Sequence, residues 1–159
     1  MKEVYILRHA EAVRGGNNIA DFDRQLSPDG ISEARRLGKK CREQSVFPGF
    51  IYCSPAKRAL TTAEIFAGEI NFPHENIILL PRLYESHPDE LMDLILASSE
   101  EFSGAMIVGH NPVLTNFLNV FTIEGVTHLP TGTLVNVSYP DCNTWKAIKG
   151  RKGSISFVW

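Results

Sequence analysis

No stretch of this sequence approaches the roughly 18 consecutive apolar residues that a membrane-spanning helix requires. The apolar run near the start, Val4 to Leu7, is too short for the core of a secretory signal. The expectation is therefore a cytoplasmic protein with no membrane partner. Cysteine is scarce: Cys41, Cys53 and Cys142 form an odd set without a CxxC pair. That pattern argues against a disulfide framework or a zinc site, and reduced thiols are expected. Neither charge sign dominates, since the formal net charge is −2. Such a balance gives no reason to expect nucleic acid or an acidic membrane as partner. Repeats, low-complexity segments and linkers are also lacking.

What is present suits a globular α/β protein. Apolar residues make up 43% of the 159 positions and charged residues 21%, an ordinary balance. The length predicts one domain over residues 1–159. Short β-branched or aromatic runs read as strands at Val4–Leu7, Phe50–Cys53, Ile77–Leu80 and Ala105–Val108. Further strands are expected at Leu134–Tyr139 and Trp145–Ile148, with an edge strand at Ser154–Trp159. Residues 11–26, with Gly15, Gly16, Asn17, Asn18 and Asp21, read as a loop. Ser27-Pro28 opens a helix with Ile31, Ala34, Leu37 and Cys41 on one face. Ser54-Pro55 repeats that start, before Ala59, Leu60, Ala63 and Phe66. Helices are also expected from His87-Pro88-Asp89 and from Asn111-Pro112. Strands alternating with helices predict a mainly parallel sheet with helices on both faces.

Polar residues collect where strands end. Arg8 and His9 follow the first strand, Ser54-Pro55 with Arg58 the second, and Gly109-His110-Asn111-Pro112 the fourth. Ligands of open α/β sheets bind outside the carboxyl ends of the strands, so Arg8, His9, Arg58 and His110 should share one rim. Two guanidinium groups and two imidazoles there would suit phosphate, whose oxygens match the guanidinium fork. Glu85 could bring a carboxyl group to the same rim, and Asp21 and Asp23 are further acids on the first loop. No metal site is expected, because neither histidine has a Cys or His partner at ligand spacing and the arginines would repel a cation.

These motifs together resemble the histidine phosphatase (phosphoglycerate mutase-like) superfamily. Leu7-Arg8-His9-Ala10 resembles its Arg-His-Gly signature, and Arg24-x-Leu26-Ser27-x-x-Gly30 its second motif. Ser54-Pro55-x-x-Arg58-Ala59-x-x-Thr62-Ala63, Leu83-x-Glu85 and Gly109-His110-Asn111-Pro112 resemble the remaining three. Ala10 in place of glycine is similar to the SixA-like branch, the phosphohistidine phosphatases. The short interval between Arg58 and Glu85 leaves little room for the helical lid of the mutases and acid phosphatases.

The resemblance implies a metal- and cofactor-independent phosphatase with His9 as nucleophile. Arg8, Arg58 and His110 would bind the phosphoryl group, and Glu85 is the implied acid. Missing lid segments imply a shallow, open rim and a phosphohistidine-bearing protein as substrate. A general small-molecule phosphomonoesterase is the alternative. A phosphoglycerate mutase or a non-catalytic phospholigand-binding module fits less well. The sequence leaves the role of Arg24 and the oligomeric state open.

Overall fold

A computed structural model describes residues 1–16 and 18–159; Asn17, part of the expected first loop, lies outside the described residues. Six strands form one sheet in the order β3-β2-β4-β1-β5-β6. Strand β1 (Lys2–Arg8) lies inside it, parallel to β4 (Gly104–Gly109) and antiparallel to β5 (Leu134–Tyr139). On the other side of β4, β2 (Phe50–Cys53) and β3 (Ile77–Leu79) continue the parallel part. Strand β6 (Ser154–Val158) pairs antiparallel with β5 at the far edge.

The period of two along β1 divides the core. Val4 and Ile6 face one layer with Tyr52, Ile107 and Val135. Tyr5 and Leu7 face the other with Ile51, Met106 and Val108. Helices α1 (Pro28–Glu43) and α2 (Lys57–Glu69) cover the second face, placing Leu37, Cys41 and Phe66 there. Helices α3 (Pro88–Leu96) and α4 (Val113–Phe121) cover the first, with Leu91, Ile95 and Phe117. Every residue of β4 is buried, which is why that strand reads as an unbroken apolar run. Removing a side chain such as Phe66 from water stabilises the fold by roughly 1.5–3 kcal/mol.

Helix α1 starts as its sequence indicates. Ser27 Oγ accepts from the Gly30 backbone N–H at 3.0 Å, and Pro28 stands in the first turn. Gly30 is required by a close approach: a β-carbon there would stand 2.0 Å from the Glu11 carbonyl oxygen. The second motif therefore joins the start of α1 to the loop behind His9. On α1, Ile31 turns outward at the end of the apolar face, and on α2 Leu60 is only half-buried.

Two expectations are corrected. Trp145–Ile148 is not a strand: Lys146–Ile148 forms a 3-10 turn. Trp145 is fully buried, its indole Nε1–H donates to the Ser99 carbonyl at 2.9 Å, and its backbone N–H donates to Glu100. Those bonds hold the chain in a compact anchor with no ladder to join. Ser54 is not the cap of α2, which opens at Lys57 after Ala56 without a side-chain cap. The Ser54 hydroxyl instead faces His110. Between Arg58 and Glu85 the chain forms only α2, β3 and short 3-10 turns, so no helical lid is inserted.

Candidate active site

The backbone of His9 is fixed by strand β4 on one side and by the turn leading into β5 on the other. Its N–H donates to the Gly109 carbonyl at 3.1 Å, and its carbonyl accepts from the Gly132 N–H at 3.0 Å. The ring is then oriented by its own neighbour. Nδ1 lies 2.8 Å from the Ala10 carbonyl oxygen. A carbonyl only accepts, so Nδ1 carries the proton and Nε2 carries the lone pair. Arg58 Nε–H donates to that Nε2 at 3.3 Å.

Arg58, second residue of α2, is nearly buried and ion-pairs with Asp21 at 2.9 Å. It also donates to the Asp21 backbone carbonyl. Thr62, one turn on, ties this helix to the nucleophile loop: its hydroxyl accepts from the Ala10 N–H at 3.0 Å and donates to the Arg58 carbonyl at 2.6 Å. The Arg58-x-x-x-Thr62 spacing is therefore a hinge pin between two motifs.

Arg8 and His110 complete the group. Arg8 Nη1 donates to the Leu129 carbonyl at 2.7 Å, which also accepts from Asn111 Nδ2 at 3.0 Å. Arg8 Nε is buried without a partner among the described residues. His110 Nε2 lies 2.8 Å from Ser54 Oγ, and its Nδ1 is likewise buried with no partner among the described residues. The rings of His9 and His110 are 5.1 Å apart. The structure thus brings together all four of the expected rim residues. Glu85 stands apart from them, exposed on the wall of a cleft that it shares with His110, Tyr84 and Asn111.

Asp21 is more central than its loop suggested. Its carboxylate takes Arg58 on one side, Arg24 at 3.0 Å on another, and the Tyr84 hydroxyl at 2.8 Å. This strap crosses the entrance, so the rim is less open than the missing lid implied: His9 is 8% and His110 7% exposed. Asp23 is not in the group and pairs with Lys57 at 3.5 Å. Tyr84, Thr62 and the Leu129 carbonyl carry no catalytic signature of their own. Thr62 is marked only by its place in the third motif, and Tyr84 stands at the unspecified position between Leu83 and Glu85.

Electrostatics follow from this packing. Burial lowers the pKa of His9 to about 4, with Arg58 and Arg8 adding to the shift against the bond to Ala10. Burial lowers His110 to about 3, helped by His9 and Arg58. Both rings are therefore neutral at pH 7. Hydrogen bonds from Tyr84 and Arg24 lead the effects that hold Asp21 well below the usual carboxylate range. The unfolded chain takes up protons on both histidines from about pH 6.5 downward, whereas the fold does so only near 4 and 3. Stability should fall as pH falls through that window. In a proton NMR titration, both Cε1–H signals should keep their neutral positions down to pH 5. Midpoints near 6.5 would contradict the burial argument. Among the described residues, no group of three or more His, Cys, Asp or Glu side chains is arranged to hold a metal ion. Nor is any helix among them long and apolar enough to cross a membrane.

Known proteins carry the same architecture. A chain of Agrobacterium tumefaciens assigned as the phosphohistidine phosphatase SixA is 27% identical, with a TM-score of 0.79 over 86% of this chain and 91% of that one. The protein histidine phosphatase SixA complexed with tungstate shares the fold at 20% identity, with a TM-score of 0.82 over 98% and 95% of the two chains. The uncharacterized protein ML1117 of Mycobacterium leprae is 32% identical over 77% of this chain and 74% of its own length. A 2,3-bisphosphoglycerate-dependent phosphoglycerate mutase of Thermobifida fusca is 34% identical over 55% of this chain, but over only 36% of the mutase. Residues 4–106 match the histidine phosphatase superfamily (branch 1), a span that holds Arg8, His9, Arg58 and Glu85 and stops just short of His110. With the fold, the paired arginines and the oriented histidine in agreement, the chain belongs to the histidine phosphatase superfamily.

Proposed function

We propose that this protein is a phosphatase that carries the phosphoryl group on Nε2 of His9 and acts on phosphohistidine in proteins. One observation carries the catalytic part: the Nδ1–H bond to Ala10 leaves a neutral imidazole whose Nε2 lone pair faces the Nε–H of Arg58, a bond that a bound phosphoryl group displaces. That nitrogen attacks phosphorus in line, forming an N–P bond as the bond to the leaving group breaks. Charge spread over the three equatorial oxygens is met by Arg8 and Arg58. Ser54 Oγ already accepts from the Ala56 N–H at 3.4 Å. With the Ser54 hydroxyl donating to His110 Nε2, the neutral ring carries its proton on Nδ1, a donor with no partner among the described residues that can serve a phosphoryl oxygen.

Asp21 is held as a carboxylate and is a poor proton donor. Glu85, on the cleft wall, is the carboxyl group we assign to protonating the leaving nitrogen or oxygen. Water then attacks phosphorus, the N–P bond breaks, and inorganic phosphate leaves with neutral His9 restored. The arginines supply the positive charge, so activity requires no added divalent metal.

The substrate part rests on the absence of a helical lid and on the likeness to the Agrobacterium tumefaciens chain assigned as a phosphohistidine phosphatase. Without a lid, a residue on another protein's surface reaches the rim, whereas a mutase needs to shelter its phosphoenzyme from water. The recessed position of His9 favours a second reading, a small-molecule phosphomonoesterase. Measured side by side, kcat/KM should be higher for a phosphohistidine-bearing protein than for glycerate or sugar phosphates. A tenfold preference for a small metabolite, about 1.4 kcal/mol of discrimination, would overturn the protein substrate and leave the phosphatase chemistry standing.

A further inference from the structure

From the geometry we infer that Phe22 and Tyr84 form a leaving-group subsite that selects a flat, uncharged aromatic ring, a reading that rests on the phosphoryl site proposed above. Four rings run outward from the nucleophile. His9 and His110 are 5.1 Å apart, His110 and Tyr84 meet edge to face at 5.7 Å, and Tyr84 and Phe22 meet edge to face at 5.2 Å. The first two hold the phosphoryl group. In-line transfer puts the leaving group on the side of phosphorus away from His9, toward the outer pair.

The outer rings are held in place. The Tyr84 hydroxyl donates to Asp21 at 2.8 Å, and Phe22 follows Asp21 directly in a 3-10 turn pinned by Arg58 and Arg24. Phe22 nevertheless stays 38% exposed. An exposed apolar ring packed edge to face on Tyr84, which lines the cleft beside His110, offers contact to a leaving group that reaches past that cleft. Aromatic pairs gain from edge-to-face and offset geometry beyond simple burial.

The charges beside the rings narrow the choice. Asp21 lies between Tyr84 and Arg58, and Glu85 is exposed on the adjoining cleft of about 360 Å3. Arg58 and Arg24 are already engaged by the Asp21 carboxylate, so this wall keeps no unengaged guanidinium for an acidic leaving group such as a glycerate. A neutral imidazole or phenol needs none. The ring of a phosphohistidine side chain fits both conditions, so the same wall favours it over phosphate carried on an aliphatic amine or alcohol.

The test compares wild type with Phe22→Ala and Phe22→Leu on four substrates. Phenyl phosphate and a phosphohistidine peptide carry rings; glycerol 3-phosphate and phosphoramidate do not. Inhibition by inorganic phosphate serves as a reference for the phosphoryl site. Phe22→Ala should lower kcat/KM for both ring-bearing substrates roughly five- to tenfold. It should leave the other two, and the phosphate inhibition constant, within about twofold, a size expected of a surface change away from the phosphoryl contacts. Phe22→Leu, which keeps apolar bulk without a ring, should recover at most part of the loss. Equal losses on all four substrates, or none on phenyl phosphate, would overturn the subsite. Failure of the protein-phosphohistidine reading looks different: wild type itself would then favour glycerol 3-phosphate over the peptide. The Phe22 comparison between phenyl and glycerol phosphate would still decide the wall.

Discussion

Replacing His9 with alanine should lower kcat by at least about a thousandfold, because removing a covalent nucleophile leaves only binding and electrostatic effects. The loss should be in kcat rather than in affinity. Arg8, Arg58 and His110 remain in place to hold the phosphoryl group. Stability should change far less than activity. The imidazole is uncharged, and its main bond is one Nδ1–H to the Ala10 carbonyl. His9→Asn is the useful companion, since an amide N–H can replace that donor without supplying a nucleophile. Equal inactivity in both variants, with unchanged urea midpoints, would place the defect in chemistry. More than a tenth of wild-type activity in either would remove His9 from the mechanism.

Arg58→Ala should cost about 10²–10³ in kcat, the usual consequence of deleting one donor to developing transition-state charge. Arg58 serves the site in three ways. Its Nε–H faces the His9 lone pair, its Nη2 pairs with Asp21, and its charge helps keep His9 unprotonated. In the resting arrangement the Arg58 fork is engaged by Asp21, so a phosphoryl oxygen has to exchange with that carboxylate. Deleting the side chain therefore also frees the strap over the entrance. Arg58→Lys tests this further: it keeps the charge but loses the fork that meets His9 and Asp21 together. Activity should stay well below wild type in Arg58→Lys, and the pKa of His9 should rise in Arg58→Ala. Near-normal turnover in Arg58→Lys would show that only net charge matters.

The parts of this site that were legible from sequence are those tied to regular structure. Arg8-His9, Arg58 and His110 each follow a parallel strand whose alternation or full burial marks it, and the topology carries them to one rim. Residues 11–26 have no such periodicity. The position of Asp21 depends on Arg58 and Tyr84, far along the chain, and on the Ala12–Leu26 bridge that closes the loop. Leu129 acts through its backbone carbonyl, which has no side-chain signature. Ser54-Pro55 and Asn111-Pro112 read as helix starts because a capping residue and a site residue share the same chemistry. In the fold, Ser54 faces His110, and Asn111 accepts from Thr115 and donates to Leu129. Trp145–Ile148 misled for a related reason: a short apolar run does not distinguish a ladder strand from a buried anchor.

The most direct test of the central claim is to look for the phosphoryl group on His9 itself. Rapid quenching of the enzyme with a labelled substrate, under alkaline conditions that preserve phosphohistidine, should give an acid-labile adduct. Peptide mapping should place it on the ring of His9, at Nε2, and the adduct should be absent from His9→Ala. Label on another residue, or turnover at the wild-type rate with no label on His9, would contradict the account.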